Sequence, residues 1–267
     1  MSKLTVTDRA QADLGTKGPS GLTFPEPENM RGGVPEVVRR ATTTGSVYDK
    51  LRDGLMWGRW APGEKLKPQH LRETMEATPA ALREALIRLA GEGFVSFEEQ
   101  RGFSTIVPTR KSFAETRHLR VLIEVEAMRL SLKNATLRWE SDLVAAHQRL
   151  AQLEKSMGSE DDVRGFIRVW STYDWAFHMA LIANCGSDLL IEAHRTSYDR
   201  YRLHAVAELQ TFGFRGETTV KEHGAVLQAA LDRDTQACAH ALDDHLRIYR
   251  RDGDQVTSLE FEDLSTV

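Results

Sequence analysis

The chain has 267 residues, of which 41% are hydrophobic and 28% are charged, and its formal net charge is -4. No apolar run approaches the roughly 20 residues that cross a bilayer, so the composition excludes an integral membrane protein and a cytoplasmic location is expected. The two cysteines are too few for a disulfide framework and suit a reducing compartment. The slightly acidic balance gives no global signature of nucleic-acid binding, so any contact with DNA must come from a local surface.

Residues 1–44 are rich in glycine and proline and show little apolar periodicity. This composition predicts a flexible N-terminal arm. Arg39 and Arg40 leave open a second role, in which the arm contacts DNA or another partner.

Residues 46 to about 91 predict three short helices. The first ends near Gly58, where turn residues follow, and the second comes after Leu66-Lys67-Pro68. The third runs from Pro79 to about Gly91, with Thr78 as its N-cap and the proline at the first helical position. Two short helices separated by a tight turn, the second of them well capped, predict a helix-turn-helix.

Two short β-prone runs follow, Phe94-Val95-Ser96-Phe97 and Thr105-Ile106-Val107, and they flank residues 98–102. Their spacing predicts a hairpin, which in this position would be the wing of a winged helix.

Five motifs occur in order between Val47 and about Val107: Leu-Arg-Asp-Gly-Leu at 51–55, Ala-Pro-Gly-Glu-Lys-Leu at 61–66, Leu-Arg-Glu-Ala-Leu at 82–86, Gly-Phe-Val at 93–95 and Arg-Gly-Phe at 101–103. With these motifs the segment resembles the winged-helix domain of GntR-type transcription regulators, which implies that the chain binds a double-stranded DNA operator. The DNA-contacting residues that the resemblance implies are Lys67, Gln69, Arg72, Thr78, Arg83, Arg101 and Gly102.

The chain departs from the family pattern at two of the positions that read DNA. Gln69 and Pro79 stand where the family usually has arginine, and Arg83 is the arginine that remains on the predicted recognition helix. A bidentate arginine contact to guanine contributes about 1 to 3 kcal/mol of base discrimination, so sequence readout is expected to be weakened or redirected. Residues 45–108 contain nine basic and nine acidic side chains, which leaves this predicted DNA-binding domain with no net charge.

After residue 108 the pattern becomes wholly helical, and the protein is predicted to be mainly α, with an antiparallel six- to seven-helix bundle at residues 109–250. Ser112-Phe113-Ala114-Glu115 has the form of a capping box that opens the first long helix. The later helices are predicted at about 141–157, 161–183, 187–209, 217–231 and 234–250. The charged residues of 251–267 are five acidic and one basic, and this segment is predicted to be a frayed acidic tail.

The first long helix has two contrasting faces. Its apolar residues recur at helical spacing and include Leu119, Leu122, Ile123, Leu130 and Leu137. A second face combines charged and small residues, and we expect it to line a cavity; it comprises Arg120, Glu124, Ala127 and Ser131.

Four residues on apolar helical stripes predict a metal site. Asp174 and His178 are four residues apart on one helical face, and His223 and His245 lie on the stripes of two later helices. A single histidine in such a position is typical of core packing. A carboxylate on an apolar stripe is costly to desolvate, and a cation bound by all four side chains would offset that cost.

Four short motifs occur in order in this part of the chain: Arg120-x-x-x-Glu124, Asp174-x-x-x-His178, Glu222-His223 and His245-Leu246. With these motifs the region of about 113–250 resembles the FCD effector domain of the FadR-type branch of GntR regulators. The resemblance implies that Asp174, His178, His223 and His245 bind a divalent metal, most often zinc or nickel. It also implies that Arg120 pairs with a small carboxylic acid effector held at the metal, and that the protein is a homodimer. Further polar residues that could tune the pocket are Ser171, His194, Arg195, Tyr198 and Tyr201.

Two functions of different classes fit these patterns. The first is a ligand-responsive transcription regulator, and the second is a metal-dependent hydrolase or lyase built on the helical bundle, with a degenerate winged helix. The absence of a recognisable general base or nucleophile motif beside the four ligands favours the regulator.

Overall fold

The computed structural model describes residues 43–157 and 163–247. No helix within these ranges is long and apolar enough to cross a bilayer. The elements follow the order α1 (Thr43–Met56), α2 (Pro68–Met75), α3 (Pro79–Gly91), β1 (Val95–Glu98), β2 (Gly102–Thr105), α4 (Arg110–Lys133), α5 (Leu137–Ser156), α6 (Val163–Ile182), α7 (Asp188–Phe212), α8 (Glu217–Leu231) and α9 (Thr235–His245).

The turn between α2 and α3 has the chemistry expected of a helix-turn-helix. Glu76 ends α2 in the left-handed region, with φ 51°, and Thr78 caps α3 by accepting a hydrogen bond of 3.2 Å from the backbone N–H of Ala81. Pro79 occupies the first position of α3, where its missing N–H is not needed. One face of α3 is buried in the core of this domain through Leu82, Leu86 and Leu89.

The wing is a two-stranded antiparallel sheet in which Val95 pairs with Thr105 and Glu98 with Gly102. The second strand therefore ends at Thr105, whereas the sequence pattern placed it at 105–107. The reason is the other edge of β2: the N–H of Leu66 donates to the carbonyl of Phe103 at 2.9 Å, so the strand is held between β1 and the segment before α2. Gly102 has φ +74°, which glycine adopts at little cost in this tight turn.

The six helices α4 to α9 pack around a second and larger hydrophobic core. The first of them begins three residues earlier than predicted, because Thr109 and not Ser112 is its N-cap. The Thr109 hydroxyl accepts from the N–H of Ser112 at 3.0 Å and the Ser112 hydroxyl accepts from the N–H of Thr109 at 3.0 Å, which forms a reciprocal capping box. In the same way Thr136 caps α5, so Leu137 belongs to α5 and not to the preceding helix.

The mixed face of α4 is the buried one, as expected for a face that lines a cavity. Arg120 and Glu124 are 1% and 0% exposed, and Ala127 and Ser131 are fully buried beside them. Part of the apolar face is open instead, since Leu119 and Leu122 are 44% and 49% exposed. The apolar residues of α4 therefore divide between two faces, because Val121, Val125 and Met128 are buried in the core whereas Leu119 and Leu122 are open.

The helix α7 joins the winged helix to the bundle. On one side the Nε–H of Arg200 donates to the carbonyl of Glu92 at 2.7 Å, and Asp199 forms an ion pair with Arg52 of α1. Trp57, directly after α1, packs against the hydrophobic cores of both domains. The predicted acidic tail, and the predicted arm apart from its last two residues, lie outside the described residues.

Candidate metal centre

Three helices bring together the four predicted metal ligands. Helix α6 provides Asp174 and His178 on consecutive turns, α8 provides His223, and α9 provides His245 at its last position. All four side chains are buried, and one potential ligand atom from each lies within 4.8 Å of the others. Around Oδ1 of Asp174, Nε2 of His178 lies at 3.6 Å and Nε2 of His223 at 3.3 Å. The sequence pattern therefore identified side chains that the fold places in one cluster.

A glutamate carboxylate lies close to the Nδ1 atom of each of the three histidines. Glu124 of α4 contacts Nδ1 of His178. The Nδ1 atom of His223 lies 2.9 Å from a carboxylate oxygen of Glu154, which is in α5, and Nδ1 of His245 lies 3.3 Å from one of Glu222, in α8. A carboxylate on one ring nitrogen fixes the orientation of the ring and makes its other nitrogen a better metal ligand. Glu124 thus orients Nε2 of His178 toward Asp174, whereas Glu154 lies close to Nδ1 of His223 without hydrogen-bond geometry.

The residues present fit a divalent metal ion. The Nε2 atoms of His178 and His223 have no hydrogen-bond partner among the described residues, although both are buried. Buried polar atoms without partners are uncommon in folded proteins and call for an explanation. Three imidazoles and one carboxylate are a donor set that suits zinc, nickel and similar ions.

The electrostatics of the cluster are those of tightly coupled buried groups. Burial opposes the charge on His223, but Glu154 and Asp174 outweigh that effect and raise its pKa to about 9. Burial and the neighbouring His223 lower the pKa of His245 to about 3. The pKa of Asp174 lies well below its ordinary value because the neighbouring histidines outweigh the cost of burial, and the Tyr198 hydroxyl donates to this carboxylate at 2.6 Å.

Arg120 lies beside the predicted metal ligands with part of its guanidinium unused. Its Nε–H donates to Glu124 at 3.0 Å, while its Nη2 atom has no hydrogen-bond partner in the described part of the chain. It lines a cavity with Asp174 and His245, of which the accessible volume is about 10 Å³. That volume holds about one water molecule, so an organic acid can enter only if the lining side chains move.

The second arginine of this cavity is Arg202, which the sequence reasoning did not single out. The predicted tuning residues include Arg195 instead, about two helical turns earlier in α7. Arg195 lies over the ring of Trp175 and does not line the cavity. Two of the named tuning residues, Tyr198 and Tyr201, do line it. Arg202 is seven residues after Arg195 and so lies on almost the same side of the helix. Only the packing of α7 distinguishes the two arginines.

Glu154, beside His223, is a second residue near the cluster that the sequence did not single out. It continues the apolar stripe of α5 four residues after Leu150 and is 2% exposed. A carboxylate on a buried apolar stripe is the same signal that identified Asp174. His194, named as a tuning residue, contacts Glu124 through Nε2 at 3.1 Å, whereas Ser171 is buried nearby without a partner for its hydroxyl among the described residues.

The predicted DNA-contacting residues lie on the outer surface of the winged helix. All are exposed except Gly102, which is half-buried in the wing turn; the exposed ones are Lys67, Gln69, Arg72, Thr78, Arg83 and Arg101. On α3, Arg83 points outward, whereas Arg88 lies over the Tyr48 ring at 3.9 Å and pairs with Glu92 at 3.0 Å. In the wing, Arg101 pairs with Glu98 at 3.1 Å. Arg83 is therefore the basic residue of α3 that is not committed to the fold.

Comparisons with known proteins match both halves of the chain to described families. Residues 115–248 match the FCD domain, and residues 43–104 match the bacterial regulatory proteins of the gntR family. The HTH-type transcriptional regulator BphR of Paraburkholderia xenovorans is 30% identical over 206 residues, which are 75% of this chain and 81% of that protein. The HTH-type transcriptional repressor GlaR of Escherichia coli is 26% identical over 202 residues, 74% of this chain and 90% of that protein.

The fold is also similar to that of a solved structure, McbR from Escherichia coli. The TM-score is 0.59 at 22% sequence identity, and the match covers 77% of this chain and 93% of that chain. The predicted fold class, a winged helix-turn-helix with a small β wing followed by a helical bundle, is confirmed.

Proposed function

The chain belongs to the GntR family of bacterial regulatory proteins and contains an FCD domain, and from this premise we propose that it is a homodimer that binds an operator and senses a small carboxylic acid through a divalent metal ion. Such a regulator acts in the cytoplasm, where it has access to DNA. The observation that carries the proposal is the pairing of each of three buried histidines with its own glutamate around Asp174.

The metal would be held by Asp174, His178, His223 and His245, and zinc or nickel suits this donor set. A divalent ion bound there supplies an electrophilic partner for an oxygen of the acid. Arg120 would hold the other oxygen, because its Nη2 atom is free of partners in the described chain and a guanidinium donates in the plane that a carboxylate requires.

The alternative of a metal-dependent hydrolase or lyase is not supported. The relatives of the chain are transcription regulators, which are not enzymes, and the match covers the winged helix as well as the bundle. The protein is a transcription regulator, and what remains proposed is its metal, its effector and its assembly.

The open face of α4 supports a homodimer. Leu119 and Leu122 lie one turn apart on this face and are about half exposed, with the half-buried Ile123 beside them. A second copy of the chain is the occupant that a regulator with paired winged helices requires, because two recognition helices must meet two half-sites at a fixed spacing. Effector binding would then shift the bundle between two packings and change that spacing.

Replacement of Leu122 by glutamate tests the proposed interface. We expect a shift from dimer to monomer in light scattering, because a charge would be buried against the same face of the second copy. Leu137→Glu is the matched control, since Leu137 is 82% exposed at the start of α5. A dimer that survives Leu122→Glu unchanged would exclude α4 as the interface.

Replacement of Arg83 by alanine tests the recognition helix. We expect DNA affinity for the protein's own promoter to fall by about 1 to 3 kcal/mol, because one base-reading contact is lost. Arg138→Ala is the charge-matched control, because Arg138 is exposed on α5 in the bundle. Equal retardation of operator DNA by Arg83→Ala and by the parent protein would show that α3 reads the sequence by other residues.

The sensing function itself is tested by thermal denaturation of the full chain with a panel of small carboxylic acids. The panel is measured after zinc or nickel is added and again after chelation. We expect at least one acid to raise the melting temperature only in the metal-loaded protein, and the same acid to change DNA retardation. If acids stabilise the metal-free and metal-loaded protein equally, the metal has no part in sensing.

A further inference from the structure

The cavity beside the metal ligands contains two arginines with different surroundings. Arg120 is paired with the fully buried Glu124 at 3.0 Å and belongs entirely to the bundle. Arg202 has a weaker ion pair, at 3.6 Å to Oδ1 of Asp199, and its Nε atom has no hydrogen-bond partner among the described residues. The side chain of Arg202 is only 15% exposed. A largely buried guanidinium with an unused N–H is a poorly satisfied charge, and an added anion would complete it.

Both arginines face the same aromatic ring in the wall of the cavity. The guanidinium carbon of Arg120 lies 4.5 Å from the ring centroid of Tyr198, and that of Arg202 lies 5.7 Å from it. Asp174, one of the proposed metal ligands, accepts a hydrogen bond from the hydroxyl of the same tyrosine. A small molecule bound at the metal and Arg120 would therefore be within a few ångströms of Arg202.

Arg202 also contacts the DNA-binding domain. Its guanidinium carbon lies 4.9 Å from the ring centroid of Trp57, which directly follows α1. Its partner Asp199 is shared, because the other carboxylate oxygen of Asp199 pairs with Arg52 of α1. Movement of Arg202 toward the metal would thus change two contacts between the bundle and the winged helix.

We infer that Arg202 is a second anion-binding residue of the effector site, that the effector is a small acid with two anionic groups, and that binding of the second group draws Arg202 away from Asp199 and Trp57. The inference rests on the proposed function, in which the first carboxylate is held by the metal and Arg120. The small cavity fits this mechanism, since the side chains that fill it must move when an acid enters, and Arg202 is among them.

The test compares diacids with monoacids of the same chain length on the zinc-loaded full-length protein. Isothermal titration is run with malonate against propionate, succinate against butyrate, and glutarate against valerate. We expect one diacid to bind at least about tenfold more tightly than its matched monoacid, as one additional charge-assisted hydrogen bond predicts. Arg202→Gln is expected to remove this preference while monoacid binding is retained, and the control Arg195→Gln is expected to keep it.

A second readout follows the contact with Trp57. Diacid binding is expected to change tryptophan emission in the parent protein, and the change is expected to be smaller in Trp57→Phe, where Trp170 of the cavity wall still responds. Monoacids are expected to leave the Trp57 contribution unchanged.

The outcomes separate this inference from the proposed function. If monoacids bind as tightly as their matched diacids, Arg202 reads no second anionic group and the inference fails, while the proposed acid sensor stands. A diacid preference that persists in Arg202→Gln also overturns the inference. If no acid of the set binds to the zinc-loaded protein, both the sensing of simple carboxylates and the role of Arg202 are wrong. The comparison of acids on the parent protein decides the matter even if Arg202→Gln does not fold.

Discussion

Replacement of His223 by alanine is expected to abolish the stabilisation of the protein by zinc. His223 lies 3.3 Å from Asp174 and is fully buried, so its removal leaves the proposed metal with one nitrogen ligand fewer. At a zinc concentration about 1,000 times Kd, binding to the parent protein would contribute about 4 kcal/mol, which corresponds to a rise in Tm of roughly 10 °C for a chain of this size. Calorimetry with and without zinc measures both values.

The matched control for this variant is His204→Ala. His204 is also a buried histidine, 5% exposed, but it lies in α7 outside the cluster of proposed ligands. We expect His204→Ala to lower the stability of the protein and to keep the full response to zinc. Retention of the zinc response in His223→Ala would contradict the proposed metal centre directly.

Replacement of Glu154 by glutamine is expected to reduce zinc affinity by about 10- to 100-fold without abolishing binding. The carboxylate of Glu154 lies 2.9 Å from Nδ1 of His223 and also accepts a hydrogen bond of 3.0 Å from the indole of Trp170. The amide oxygen of glutamine can still accept the hydrogen bond from the Trp170 indole. The substitution removes the negative charge that makes His223 a better ligand. Competition with a zinc chelator of known affinity measures the change.

Glu140→Gln provides the comparison on the same helix. Glu140 lies at the N-terminal end of α5 and pairs with Arg233, away from the cluster. Its replacement is expected to leave zinc affinity unchanged. If Glu154→Gln behaves as Glu140→Gln does, the glutamates behind the histidines serve packing and not the metal.

The helix ends were largely predictable because they depend on local chemistry. Thr78 and Pro79 begin α3 at the predicted residue, and Glu217 and Leu231 bound α8 as predicted. The start of α4 was misplaced because Ser112 and Thr109 bond to each other, and a capping pair read from sequence does not say which member is outside the helix. Strand β2 was misplaced because its position depends on pairing with a distant segment at 64–66.

The four predicted metal ligands of the candidate site could be found in the sequence, whereas most of the residues around them could not. Histidines and an aspartate on apolar stripes are conspicuous, because such side chains need a partner when buried. Arg202 gave no such signal, because an arginine in a helix is usually exposed to solvent. Its burial depends on the cavity and on Trp57, which come from the tertiary fold. The polar face of α4 illustrates the same limit: the buried Glu124 is compensated by Arg120 and by His178 and His194, which come from other helices.

Trp57 couples the unfolding of the two domains. Because its ring packs against both hydrophobic cores, loss of either core exposes part of the other. Leu203 of α7 strengthens this dependence, since it packs against the winged-helix core from the bundle side. A fragment that ended at Val107 would therefore leave apolar surface uncovered, and the winged helix would be a less stable unit when separated from the bundle than when attached to it.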